Sequence, residues 1–317
     1  FFSPPPPAPP DPLWSRGLGD VYKRQIYMSK LALGTVQFGT DYGINSGVKV
    51  DPKEVTNIIN FARNNGISLL DTAQLYGSSE KVLGDVNTQD FDIVTKSRGF
   101  DNEVITEKEA SFVIADLHKS LSLLKQKSLY AFLVHHGEDL LKPGGEMIFN
   151  QLQSLKEQGL ANKIGVSAYI DNQLIEIIDS FDIDIIQLPM NILDSRLIDN
   201  GLLNKIFSKG IEIHTRSVFL QGLLLMDIDK RPKYFERWSR LWKFWYEWLA
   251  DNKLSPLEAS IRYMISKPEI SRVLVGVDNK DQLQKIINAV DGNLPPIPEE
   301  LSTNDPDLLN PGNWKVL

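Results

Sequence analysis

A single-domain α/β fold, the (β/α)8 TIM barrel, is what this 317-residue sequence predicts. Three observations carry that reading. Short β-rich runs alternate with longer amphipathic runs eight times in about 260 residues, which is the span of one barrel. Several short runs, such as YAFLV and IDIIQL, are almost wholly apolar, as strands covered on both faces must be. A doubly wound sheet also alternates, but it normally has fewer strands and opens on a Gly-rich phosphate loop; no G-x-G-x-x-G occurs here.

The expected strands are Lys30–Val36, Ser68–Asp71, Phe91–Thr95, Leu129–His135, Lys163–Ser167, Ile183–Leu188, Ile211–Thr215 and Ser271–Val275. Between them helical spacing predicts Pro52–Asn64, Ser79–Asp85, Glu107–Leu124, Gly145–Gln158, Asp171–Ser180, Asp199–Ser208 and Lys280–Ala289. Asp51-Pro52 supplies a cap followed by a proline suited to the first helical position. Asn65-Gly66 and Lys209-Gly210 stop helices just before strands. The seventh and eighth strands are farther apart, with room for a long helix over Tyr234–Asn252 and another from Ser255 to Lys267. Trp238, Trp242, Trp245 and Trp248 recur at helical spacing on the first of these, as a stripe packing against the barrel wall or, alternatively, lining an aromatic pocket. The Pro-rich tail from Asp291 is expected to wrap one barrel end.

Residues 1–27 stand apart. Seven of their first twelve positions are proline, a composition that neither pairs into a sheet nor sustains a helix. They lack the basic start and apolar block of a secretory signal. The expectation is an upstream or read-through leader, or else a disordered tail, with the domain opening at Met28.

Composition narrows the chemistry. The formal charge of −7 is wrong for a nucleic-acid backbone binder, which shows a basic face. The absence of cysteine removes disulfides, thiolate metal sites, iron–sulfur clusters and a Cys nucleophile. Four histidines without an H-E-x-x-H leave little room for zinc, so no metal is expected. No apolar run approaches membrane-spanning length. The reading is a soluble, cytoplasmic protein acting on a small molecule, with no nucleic-acid or membrane partner.

Barrel enzymes carry their reacting groups at the carboxyl ends of strands. Those ends supply Asp71 and, five residues on, Tyr76; then Lys96; then His135 and His136. A carboxylate, a phenol, an amine and an imidazole thus meet on one rim from three neighbouring strands.

With these residues in place, the chain resembles the aldo/keto reductases. LDTAQLYGSSEKVLG, VTK, LVHH, KIGVSAY, DIIQLPMN and RSVFLQGLL occur in family order between Gly34 and about Ile286. The resemblance implies reduction of an aldehyde or ketone with NADPH or NADH bound in extended form across the strand ends. It places the catalytic tetrad on Asp71, Tyr76, Lys96 and His135, His135 being preferred to His136 because it directly follows the apolar strand. The chemistry is coherent. A free tyrosine, with pKa about 10, is protonated at neutral pH and can donate a proton. The Lys96 ammonium stabilises the phenolate left behind, Asp71 compensates that ammonium's burial, and His135 orients the carbonyl.

By the same resemblance, Gly34, Thr35 and Val36 lie near the nicotinamide ribose. Ser167 and Gln187 hold the carboxamide, Asp71 lies close by, and Ser217 with Gly222 meets the pyrophosphate. Two departures stand out: Ser167-Ala168 where the family often has Ser-Asn, and Arg216 where a tyrosine commonly stacks on the nicotinamide. After strand eight, in Gly276–Gln282, Asp278 favours a 2′-hydroxyl and so NADH, whereas Lys280 favours a 2′-phosphate and so NADPH. Gln282 is expected to face the adenine. A second reading, a cofactor-binding redox sensor or regulatory protein with little turnover, draws on Arg216 and Ala168.

Overall fold

Each apolar run pairs in parallel with the next along the chain, and the last returns to the first. The computed structural model describes residues 24–44 and 47–314. In it β1 (Leu31–Gly34), β2 (Leu69–Asp71), β3 (Asp92–Lys96), β4 (Leu129–Val134), β5 (Ala161–Ser167), β6 (Ile185–Pro189), β7 (Glu212–Arg216) and β8 (Ile270–Gly276) close into one barrel in chain order. All eight expected strands are present, with ends shifted by a few residues. In β1 the strand ends two residues early, because Val36 belongs to a short helix, Val36–Gly39.

Helices cover the barrel's outer face, and local chemistry sets their ends. Asp51 caps Pro52–Asn64 by accepting from Lys53 N at 2.8 Å, and Val55, Ile58, Ile59 and Ala62 form the buried stripe. Thr106 and Glu109 cap Glu107–Leu124 reciprocally. Two predicted helices are broken. Gly201, at φ +70°, separates Arg196–Asp199 from Leu202–Ser208, because a left-handed residue cannot continue a right-handed helix. The tryptophan segment is a 3-10 turn over Lys233–Trp238 followed by the α-helix Ser239–Asn252. Trp242, Trp245 and Trp248 are buried on that helix, while Trp238 lies before it and donates from Nε1 to Asp305 at 2.9 Å. The tail is pinned there and by Thr303 N to Leu193 O at 2.8 Å, beside the loop after β6.

Of the expected leader, residues 1–23 lie outside the described residues. Residues 24–30 are helical; Arg24 pairs with Asp291 at 3.1 Å, and Tyr27 and Met28 pack on the core. Lys30, expected to begin a strand, instead donates from Nζ to Ile265 O and Lys267 O, satisfying carbonyls left open where the helix Pro256–Ile265 ends.

Strand alternation decides what fills the barrel. Side chains point to opposite faces in turn, and Ala32, Leu69, Val94, Ala131, Leu133, Ile185 and Leu274 form an apolar plug distinct from the outer core. Two residues beyond the last plug residue of their strands stand Gly34, Asp71, Lys96, His135, Gln187 and Gly276. The same alternation that buries the plug therefore gathers these six at the carboxyl mouth.

Candidate active site

The loop carrying Tyr76 is fixed by backbone contact rather than by its own side chain. A Cβ at Gly39 would lie 1.7 Å from Tyr76 O, and one at Gly77, itself at φ +58°, would lie 2.5 Å from Gly39 O. Only glycines let the β2 loop press against the Val36–Gly39 turn. Beneath it runs a buried hydroxyl chain: Thr72 Oγ1 donates to Ser79 Oγ (3.0 Å), Ser79 Oγ to Thr35 O (2.9 Å), and Thr35 Oγ1 to Asp71 O (2.9 Å).

Lys96 is fully buried, and its ammonium is saturated by Asp71 Oδ1 (2.9 Å), Asp71 Oδ2 (2.8 Å) and Thr72 O (2.9 Å). Gln187 Nε2 donates to the same carboxylate at 2.7 Å. Lys96 Nζ lies 5.0 Å from the centre of the Tyr76 ring. Burial alone would lower the Lys96 pKa, but Asp71 and Tyr76 outweigh it and hold the ammonium above its ordinary value. The His135 ring meets the Tyr76 ring edge-on, 5.8 Å between centres. Burial, reinforced by the charges of Lys96, His136 and Arg216, lowers the His135 pKa to about 3, so the imidazole is neutral at physiological pH. His136 is exposed and faces Glu138 (3.5 Å), which raises its pKa. Asp71, Tyr76, Lys96 and His135 are thus one cluster, drawn from three strand ends.

Above the cluster opens a cavity of about 490 Å³. It is lined by Gly34, Thr35, Val36, Asp71, Tyr76, His135, Ser167, Gln187, Arg216, Ser217, Gly222, Gly276, Asp278 and Gln282. Lys96 lies beneath its floor. Lys280 is the exception among the sequence-derived residues: it sits in a separate surface hollow with Phe61, its backbone N–H donating to Glu54 Oε1 at 2.7 Å. The cation that does reach the cavity from that helix is Lys285, five residues on and roughly 140° round the helix. None of the four stripe tryptophans lines the cavity; Tyr42 and Tyr169 are its aromatic rim. Those two escaped the sequence reading because Tyr42 lies in a loop without a motif, and only its place two residues past Ser167 marked Tyr169.

The loop after β7 is strained where it borders the cavity. Ser217, Leu220 and Gln221 all have positive φ (63°, 49° and 52°), and Gly222 has φ +93°. Non-glycine residues in this region are held there by their surroundings and cluster at ligand sites. The loop is tied across the mouth, Ile44 N donating to Gln221 O at 3.4 Å and Gln221 Nε2 to Tyr42 Oη at 3.3 Å.

Barrels of this closure keep their chemistry at the carboxyl mouth, and here a phenol stands over a buried ammonium beside a cavity. The model of the aldo/keto reductase family matches residues 30–300, and the chain belongs to that family. The uncharacterized oxidoreductase YqkF of Bacillus subtilis (strain 168) is 24% identical over 282 residues, covering 83% of this chain and 87% of that protein. Among solved structures, the aldo-keto reductase AKR11C1 from Bacillus halodurans matches in its holo form with a TM-score of 0.68 at 20% identity, over 84% of this chain and 88% of that one. Its apo form gives 0.66 at 21% identity, over 86% and 89%. At such identities the structural likeness speaks for the fold.

Proposed function

We propose that this protein is a cytoplasmic reductase of an aldehyde or ketone that works with NADH or NADPH and uses the Tyr76 hydroxyl as proton donor. The observation that carries the proposal is the buried Lys96–Asp71 pair beneath the Tyr76 ring. A buried ammonium held by Asp71 and lying 5.0 Å from the centre of the phenol ring favours loss of the phenol proton to a bound acceptor. Neutral His135 then acts through a ring N–H to orient the carbonyl oxygen, without exchanging a proton itself. Asp71 keeps Lys96 charged, and Gln187 keeps Asp71 in place.

The cavity suits a nicotinamide dinucleotide. Gln187 Oε1 is buried without a partner among the described residues, an acceptor available to a carboxamide N–H. Gly34 and Gly276 pair in register at the mouth; the place of a side chain at Gly34 is left open, while at Gly276 the Gln37 side chain occupies it. Gly34, Thr35, Val36, Ser167 and Gln187 would hold the nicotinamide end, Ser217 and Gly222 the pyrophosphate, and Asp278 and Gln282 the adenosine. When bound, the nicotinamide supplies the hydride.

The test is titration with NADPH and with NADH by tryptophan quenching, followed by turnover on a panel of carbonyls with the native protein and Tyr76→Phe. The expected result is binding by both proteins and turnover lowered roughly 10²- to 10⁴-fold in Tyr76→Phe. Binding without turnover in the native protein would instead favour a redox-sensing or regulatory role. Full turnover in Tyr76→Phe would remove Tyr76 as donor.

A further inference from the structure

Arg216 brings a positive charge into the cavity that no carboxylate among the described residues pairs with. It ends β7, and among the described residues its side chain makes one hydrogen bond, from Nη2 to Ala168 O at 3.2 Å. The guanidinium carbon sits over the Tyr169 ring, 4.7 Å from its centre. These two contacts turn it toward the end of β5, among Tyr42, Tyr169 and His135. Its charge is one of those that lower the His135 pKa and oppose the rise at Tyr42. Among the described residues no carboxylate forms an ion pair with it. The carboxylates that line the same cavity are already engaged: Asp71 by Lys96, Glu138 by His136, and Asp278 by the Gln282 side chain at 3.3 Å. A guanidinium presents its N–H donors as a fork matched to a carboxylate, and only one donor is used here. The chain as a whole carries −7, so an acid is not drawn in by the overall field; Arg216 is the local reason for accepting one.

We propose that Arg216 recognises a carboxylate on the carbonyl substrate, so that the protein reduces oxo acids or acid-bearing aldehydes in preference to neutral carbonyls. This rests on the reductase reading above and names its substrate class. Tyr42 and Tyr169 form the walls along which the carbon skeleton between acid and carbonyl would lie.

The experiment compares para-carboxybenzaldehyde with its neutral isostere para-formylbenzamide as substrates of the native protein, Arg216→Lys and Arg216→Gln. The ratio of kcat/KM for acid over amide is read within each protein, so any change in cofactor affinity cancels. Calorimetric binding of benzoate against benzamide provides a second readout that needs no turnover. The native protein should favour the acid about 10- to 100-fold. Arg216→Gln should bring the ratio close to unity, and Arg216→Lys should fall between. A ratio near unity in the native protein, or one unchanged in Arg216→Gln, overturns the proposal. So does loss of NADH or NADPH affinity in Arg216→Gln with the acid preference intact, since that places the guanidinium on the cofactor. If the native protein reduces neither aldehyde, the reductase reading fails on its own, and benzoate binding decides the role of Arg216: selective and lost in Arg216→Gln supports it, unselective overturns it.

Discussion

Replacing Lys96 by Met strands a carboxylate in the barrel mouth. In the native protein the ammonium spans both Asp71 oxygens at 2.9 and 2.8 Å and also reaches Thr72 O. Met fills similar space without charge, leaving Asp71, 3% exposed, with the Gln187 amide as its remaining side-chain donor. Removing one partner of a buried pair typically costs about 3–5 kcal/mol. Protonation caps that loss. A carboxyl with an ordinary pKa of about 3.9 takes up a proton at pH 7 for about 4 kcal/mol, and at pH 5 for about 1.5 kcal/mol. In the variant the folded-state pKa of this carboxyl stands above its unfolded value. The penalty is therefore least below the unfolded value and grows as pH rises toward the folded one. Urea unfolding of Lys96→Met should show a loss near 4 kcal/mol at about pH 7, shrinking by roughly half or more at pH 5. The double variant Lys96→Met/Asp71→Asn, which removes the stranded charge, should recover most of the neutral-pH loss. A loss independent of pH, or a double variant no more stable than the single one, would refute the argument.

Tyr76→Phe should behave oppositely: it removes a cavity-lining hydroxyl and leaves the buried Lys96–Asp71 pair in place, so unfolding free energy should change by less than about 0.5 kcal/mol while turnover collapses. His135 should stay neutral across about pH 5 to 8, seen as an imidazole proton resonance that does not move, while that of His136 titrates above the usual range; a His135 resonance titrating near its ordinary value would contradict the burial argument. Cofactor preference should follow the residues that reach the cavity. Asp278→Asn should shift the NADPH-to-NADH affinity ratio upward and Lys285→Ala downward, each by up to about 5-fold, whereas Lys280→Ala should leave it unchanged; a shift in Lys280→Ala alone would reverse the assignment.

Much of this was legible in the sequence for one physical reason: the period of a strand is two. Once an apolar plug residue is placed inside the barrel, the residue two farther on must also point inward. Leu69 therefore commits Asp71, Val94 commits Lys96, Leu133 commits His135, and Ile185 commits Gln187. The choice of His135 as the inward histidine follows from the same rule, whereas His136, one residue on, is exposed at the cavity's edge and meets Glu138 there. Strand count and chain order needed only the spacing of apolar runs and the rule that parallel strands require crossovers.

What tertiary structure alone decided lies where periodicity stops. Nothing local to Asn279–Ile286 says which way its helix docks, and the docking angle sends Lys285 to the cavity and Lys280 to the hollow beside Phe61. The tryptophan stripe followed helical spacing, yet a 3-10 turn at Lys233–Trp238 broke its phase, and the buried rings face the core rather than the cavity. The direction of Arg216 depends on Ala168 and Tyr169, 48 and 47 residues earlier in the chain. Long flexible side chains take their direction from neighbours that only the closed barrel brings near, whereas short inward residues take theirs from the strand itself.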